Sequence, residues 1–187
     1  MSVSGAIFIG VVVFGTIYSP TSEITATPAL AQIEEGRSAL PGHPSKFYIP
    51  TLNINTNIQE VGITQKGNIA TPRVFSDVGW YKYGTLPGDN GTAVIDGHVD
   101  NGLAFPAVFS NLNKIKIGDN IYIETKENKV LNFVVNDIKT YDYNAGTQDI
   151  ITESSTPRLV LITCTGNWIP NLRTHDKRLV ITTVLAS

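Results

Sequence analysis

After about residue 45 the chain is built from short apolar runs set apart by turn residues. They are Phe47 to Ile49, Leu52 to Val61 with alternation at Leu52, Ile54 and Ile58, Thr92 to Asp96, Ile115 to Ile123 broken by Gly118-Asp119, Val130 to Thr140, Arg158 to Cys164 and Arg178 to Val184. Many short β-type runs punctuated in this way predict an all-β domain, either a closed barrel or a sandwich. A helical period shows in only two places. Ala104 to Leu112 carries Phe105, Val108, Phe109 and Leu112 at i, i+3, i+4 and i+7, and a shorter piece lies near Gln148 to Thr152. Helices are therefore expected to decorate a β fold.

The N-terminal part has a different texture. Gly5 to Tyr18 is apolar and uncharged, so residues 1–18 read as a membrane anchor or signal segment. The first basic residue is Arg37, and charge gives no orientation. Ala29-Leu30-Ala31 resembles a signal-peptidase site but stands far beyond the apolar run, which favours an uncleaved anchor. A buried N-terminal helix is the third reading. Residues 19–45, rich in Ser, Thr, Ala and Glu and containing Pro20, Pro28, Pro41 and Pro44, read as a linker, leaving 46–187 as the folded domain.

With 42% hydrophobic and 16% charged residues, that domain has enough apolar material for one packed core. A net charge of −2 without any lysine or arginine cluster excludes nucleic acid as a main partner. The chain has one cysteine, so no internal disulfide forms and stability must come from packing.

That cysteine carries the candidate chemistry. Cys164 ends the run Arg158 to Cys164 and is followed by Thr165-Gly166-Asn167, while the earlier run Thr92 to Asp96 ends in Gly97-His98. A thiol and an imidazole at two strand ends form a candidate nucleophile and acid–base pair. A free cysteine is also commonly a small buried hydrophobe, which is the bland alternative. At its ordinary pKa about 3% of a thiol is ionised at pH 7, so a catalytic Cys164 needs a partner that supplies or removes a proton.

Acyl transfer would in addition call for a donor to the developing oxyanion. Arg178 opens the last run and lies beside Cys164 if the two strands pair as sequence neighbours. Arg158 and Arg173 have weaker positions, and Arg73 reads as surface. His175, in Thr174-His175-Asp176-Lys177, rivals His98, and spacing alone leaves the choice open. His43 reads as a solvated bystander in the linker. Asp96, His98 and Asp100 share one face of an extended segment, yet no second histidine is in range, and neither a metal nor a cofactor is called for. Asp137 and Glu153 are scattered and do not form a calcium loop. Trp80, Tyr81, Tyr83 and Trp168 are candidates for a cleft lining, with core or rim packing as the alternative.

Taken together these residues resemble the sortases, cysteine transpeptidases of Gram-positive cell surfaces. Leu86 to His98, with Pro87-Gly88, Gly91 and Val94-Ile95-Asp96-Gly97-His98, is similar to that family's histidine block. Leu161-Ile162-Thr163-Cys164 is similar to its Thr-Leu-x-Thr-Cys signature with Val160 in place of the first threonine, and Arg178 precedes an apolar strand as the family arginine does. The resemblance covers roughly Lys46 to Val184 and selects His98 over His175. It implies a closed eight-stranded β-barrel and a catalytic trio of His98, Cys164 and Arg178, with Thr163 of the signature as a substrate-binding residue.

The implied substrate is a surface protein bearing a C-terminal Leu-Pro-x-Thr-Gly sorting signal. The implied acceptor is an amine of a peptidoglycan precursor or a pilin, and the implied location is the outer face of the membrane. Gly97-His98-Val99-Asp100 is most similar to the class F group. Two other classes compete: a cell-wall thiol hydrolase, and an extracellular β-barrel binding module with an inert Cys164.

Overall fold

The fold is taken from a computed structural model, which describes residues 42–146 and 150–186. All of them belong to one compact unit, Ala39–Ser187. The strands are β1 (Pro44–Ile49), β2 (Ile54–Val61), β3 (Val78–Tyr81), β4 (Gly91–Gly97), β5 (Asn120–Thr125), β6 (Val130–Asp142), β7 (Pro157–Ile169) and β8 (Thr174–Leu185). They close into a barrel in the order β1-β2-β3-β4-β7-β8-β6-β5, with β5 returning to β1. The pairs β2/β3 and β4/β7 are parallel and the rest antiparallel. The open choice between barrel and sandwich is settled as a barrel of eight strands.

Alternation decides which side chains fill it. In β5, Ile121, Ile123 and Thr125 are buried while their neighbours are not, and β6 repeats the pattern with Leu131, Phe133 and Val135. In β4 the core takes Ala93 and Ile95, and in β7 Leu159 and Leu161. Thr92 and Val94, on the other face of β4, are buried as well. The segment before β7 covers that face, and the Thr92 hydroxyl donates to the Thr152 carbonyl at 2.7 Å. Parallel strands covered on both faces read as unbroken apolar runs, which is why β4 and β7 stand out in the sequence.

Four expectations need correcting. No helix spans Ala104 to Leu112; the only helical turn there is a 3-10 turn at Leu112–Lys114. Phe105 precedes Pro106 and is therefore biased away from helical geometry, and Ala104 sits at φ 60°. The backbone instead folds back on the chain after β4, with Ala107 N–H on the Val99 carbonyl and Phe109 N–H on that of His98. Phe109 and Leu112 still reach the core, but Phe105 is 62% exposed. The piece near Gln148 lies partly outside the described residues.

Strand β3 had no counterpart in the pattern. Its four residues include Gly79, where a Cβ would come within 2.6 Å of Asp96 Oδ1 and 2.9 Å of Val61 Cγ1, so only glycine fits the gap between neighbours. The run Ile115 to Ile123 becomes strand only from Asn120, after a turn at Gly118-Asp119. The linker gives way to β1 at Pro44, two residues early, and His43 is no bystander: its Nδ1 lies 3.3 Å from Glu60 and its ring stands edge-on to Trp80. The N-terminal anchor and most of the linker fall outside the described residues; among those described, no helix is long and apolar enough to cross a membrane.

Candidate active site

Because odd-numbered residues of β4 and β7 point into the core, Asp96, Ile162 and Cys164 face outward. Asp96 pairs with Ile162 in the parallel register, and extending it by two residues brings His98 level with Cys164. On the other side Cys164 is the antiparallel partner of Arg178. Imidazole, thiol and guanidinium thus lie abreast on the floor of a cleft of about 610 Å³. The β2–β3 connection, with Ile69 and Phe75, forms one wall, and Trp168 and Arg173 at the β7–β8 end form another.

His98 is held from three directions. Gly97 before it leaves room for Phe109, whose ring would meet a Cβ at 2.5 Å. The Gly97 carbonyl accepts a bond from the Thr163 hydroxyl at 2.8 Å. The His98 ring lies 4.7 Å from Phe75, with Nε2 3.0 Å from the Pro72 carbonyl. A carbonyl only accepts, so Nε2 carries the hydrogen of the neutral ring and Nδ1 is left for proton traffic.

Thr163 is 4% exposed, and its hydroxyl is committed to this tie between β7 and β4. A substrate contact through that oxygen would have to break it. Thr163→Val, similar in shape, leaves the Gly97 carbonyl unpaired and is expected to lower stability by about 1–3 kcal/mol. Urea unfolding checks this, and an unchanged midpoint would show that the bond contributes nothing.

Burial pushes the Cys164 thiol up from its ordinary range. The Arg178 cation pulls it down, the Asp100 carboxylate raises it, and hydrogen bonds from the His175 backbone and Thr174 side chain lower it. Desolvation is the largest of these effects, so burial works against ionisation of the resting thiol. Arg178 spans the end of the β8 strand: Nη1 donates to the carbonyls of His175 (3.1 Å) and Lys177 (2.9 Å), and Nη2 to the Thr174 hydroxyl (2.9 Å). Its plane is fixed, and with five donors it keeps some for an incoming oxygen.

His98 and His175 both enter the cleft, a result that spacing could not give. His175 Nε2 stands 3.4 Å from Asp100 Oδ2, and its ring packs at 5.3 Å against Trp168. Among the aromatic candidates, Trp80 is core at 2% exposure, Tyr83 is exposed, and Trp168 is a true cleft residue. Arg158 and Arg73 stay away from the cleft; Arg173 lines it. Asp96 lines it too, its Oδ1 sealed without a partner, and desolvation pushes its carboxyl up to about 8. Among the described residues no three His, Cys, Asp or Glu side chains gather as a metal site. No sequence signal pointed to the Pro72 carbonyl, Thr174 or the pairing of Asp100 with His175, because each arises from loops that meet only in the fold.

Residues 47–186 match the Sortase domain family. No curated protein matches the chain. Among solved structures, sortase C-1 from Actinomyces oris aligns with a TM-score of 0.61 at 22% identity, covering 86% of this chain and 83% of that one. Sortase A from Corynebacterium diphtheriae, as a lid mutant, gives 0.61 at 21% identity over 87% and 81%. The sortase D5 transpeptidase of Clostridium perfringens gives 0.58 at 22% identity over 78% and 79%. Such identities speak for the fold, whereas the domain match runs from within β1 to the end of β8 and takes in the whole cleft. On that match the chain belongs to the sortase family of cysteine transpeptidases.

Proposed function

We propose that this transpeptidase cleaves a Leu-Pro-x-Thr-Gly-type sorting signal between threonine and glycine and transfers the new acyl group to a cell-wall or pilin amine. The observation that carries the reading is the alignment of His98, Cys164 and Arg178 across three neighbouring strands on one cleft floor. The Cys164 proton passes to His98 Nδ1, and the sulfur attacks the threonine carbonyl carbon. Arg178 holds the oxygen as it becomes negative. The C–N bond breaks, His98 gives its proton to the departing glycine nitrogen, and a thioester remains on Cys164. An amine then attacks the thioester, and the sulfur leaves as the thiol with a proton returned through His98.

Thr163 acts here as a positioning residue, since it fixes the carbonyl next to His98. The apolar N-terminal segment would keep the domain at the outer face of the membrane, within reach of surface proteins.

Intact-mass spectrometry of the domain with a panel of such peptides tests the reading. The expected result is a mass gain equal to the peptide cut after threonine, absent in Cys164→Ala and His98→Ala. A thiol that alkylates readily yet gains no peptide would overturn the proposed substrate; an unreactive thiol would favour the binding module.

A further inference from the structure

The chemistry of the second half-reaction leaves one proton without a carrier. An acceptor such as a lysine side chain arrives as an ammonium at pH 7. To become an amide it must lose two protons: one returns to the Cys164 sulfur through His98, and the other must leave the site. His98 is poorly placed for both, because its Nε2 is tied to the Pro72 carbonyl and its ring is packed on Phe75.

A second imidazole stands on the opposite side of the thiol. His175 lies at the start of β8 across from Trp168, its backbone hydrogen-bonds the Cys164 sulfur, and its side chain is 12% exposed. Asp100 Oδ2, 3.4 Å from Nε2 and on a side chain 33% exposed, orients the ring and connects it to solvent. Cys164, Arg178, Arg173, Asp100 and Tyr143, whose backbone N–H bonds the Asp176 carbonyl, are titratable or charged groups that share its end of the cleft.

The cleft also has a direction. Away from His175 it runs along the outer faces of β4 and β7 past Asp96 and Val94, and it shares Ile69, Val94 and Ile151 with a further cavity of about 450 Å³. That arm can hold an acyl segment several residues long. The other end carries the His175–Asp100 pair beside Arg173 and Arg178, and Asp100 is the carboxylate that a cationic nucleophile meets there.

Resting on the transpeptidase reading above, we propose that His175, oriented by Asp100, receives the first proton of a primary ammonium acceptor, which the Asp100 carboxylate also attracts. The ammonium gives one proton to His175 and becomes the free amine. That amine attacks the thioester carbon while His98 takes its second proton. The C–S bond breaks, His98 protonates the sulfur, and His175 releases its proton to water.

The test compares two nucleophiles in wild type, His175→Gln and Asp100→Asn: Nα-acetyl-lysine amide, an ammonium at pH 7, and hydroxylamine, whose nitrogen is already unprotonated there. Each thioacyl enzyme is prepared first, and its decay is followed by mass. The expected result is that the ratio of the lysine rate to the hydroxylamine rate falls by roughly 10²-fold in both variants, whatever happens to acylation. It should recover as pH rises towards the lysine pKa. A purely structural role would slow both nucleophiles together. Thioester formation with a ratio unchanged from wild type overturns this proposal alone; a wild-type protein that forms no thioester overturns the transpeptidase reading, and this proposal with it.

Discussion

Arg178→Lys is expected to slow thioester formation by about 10²- to 10³-fold, the usual effect of losing one preorganised donor to an oxyanion. The guanidinium already spends donors on two carbonyls and the Thr174 hydroxyl, and these bonds aim the rest of its plane into the cleft. A lysine ammonium has three donors and no plane, so it cannot hold the strand end and serve a substrate oxygen together. Charge and shape can be told apart with Arg178→Gln. The cation pulls the Cys164 thiol down against its burial, so its removal should move the pH profile of thiol alkylation upward. The lysine variant keeps the charge and should leave that profile near the wild type's while still losing acylation. Full acylation in Arg178→Lys would show that the planar fork is dispensable.

Asp96→Asn should remove a pH dependence from folding stability. The carboxyl has an ordinary value of 3.8 and is pushed up to about 8 by desolvation, so the fold favours its protonated form. Below pH 4 both folded and unfolded chains hold the proton; between 4 and 8 only the folded chain does, and stability falls as pH rises. A tenfold change in proton affinity is equivalent to about 1.4 kcal/mol, and because the side chain keeps some exposure the whole effect should be on the order of 2–3 kcal/mol. The asparagine variant is therefore expected to match the wild type near pH 4 and to be the more stable protein at pH 8. Guanidinium unfolding at the two pH values measures the gap, and a gap that is the same at both would refute the assignment.

What could be read from the chain depended on how each signal is encoded. Strands β4, β7 and β8 announced themselves because their apolar runs are long, and the register of Cys164 with Arg178 follows from neighbouring strands pairing. Val78-Gly79-Trp80-Tyr81 is too short to show alternation, and its glycine answers to side chains from two other strands. The period at Phe105, Val108, Phe109 and Leu112 was genuine in that Phe109 and Leu112 are buried, but Pro106 and the bonds to Val99 and His98 made it a sequence of turns. His98 was visible as the residue that follows a strand, and Cys164 as the close of an apolar run, although β7 does not stop there as expected but continues to Ile169. Their surroundings were not, because the Pro72 carbonyl, Thr163 hydroxyl and Asp100 carboxylate gain meaning only through contacts between distant segments.

The barrel's strand order has a consequence for the order of events during folding. β8 is the last strand in sequence, yet it sits between β7 and β6, and β7 in turn joins β4 across the whole of β5 and β6. The site is assembled from strands far apart in sequence, β4 against β7 and β8, and such non-local pairing folds slowly. Until Thr174–Leu185 has slid between its neighbours, Cys164 lacks Arg178, Thr174 and His175, and both flanking strands present bare edges. A chain caught at that stage carries an untuned thiol and a sticky sheet margin, so reactivity itself reports that the barrel has closed.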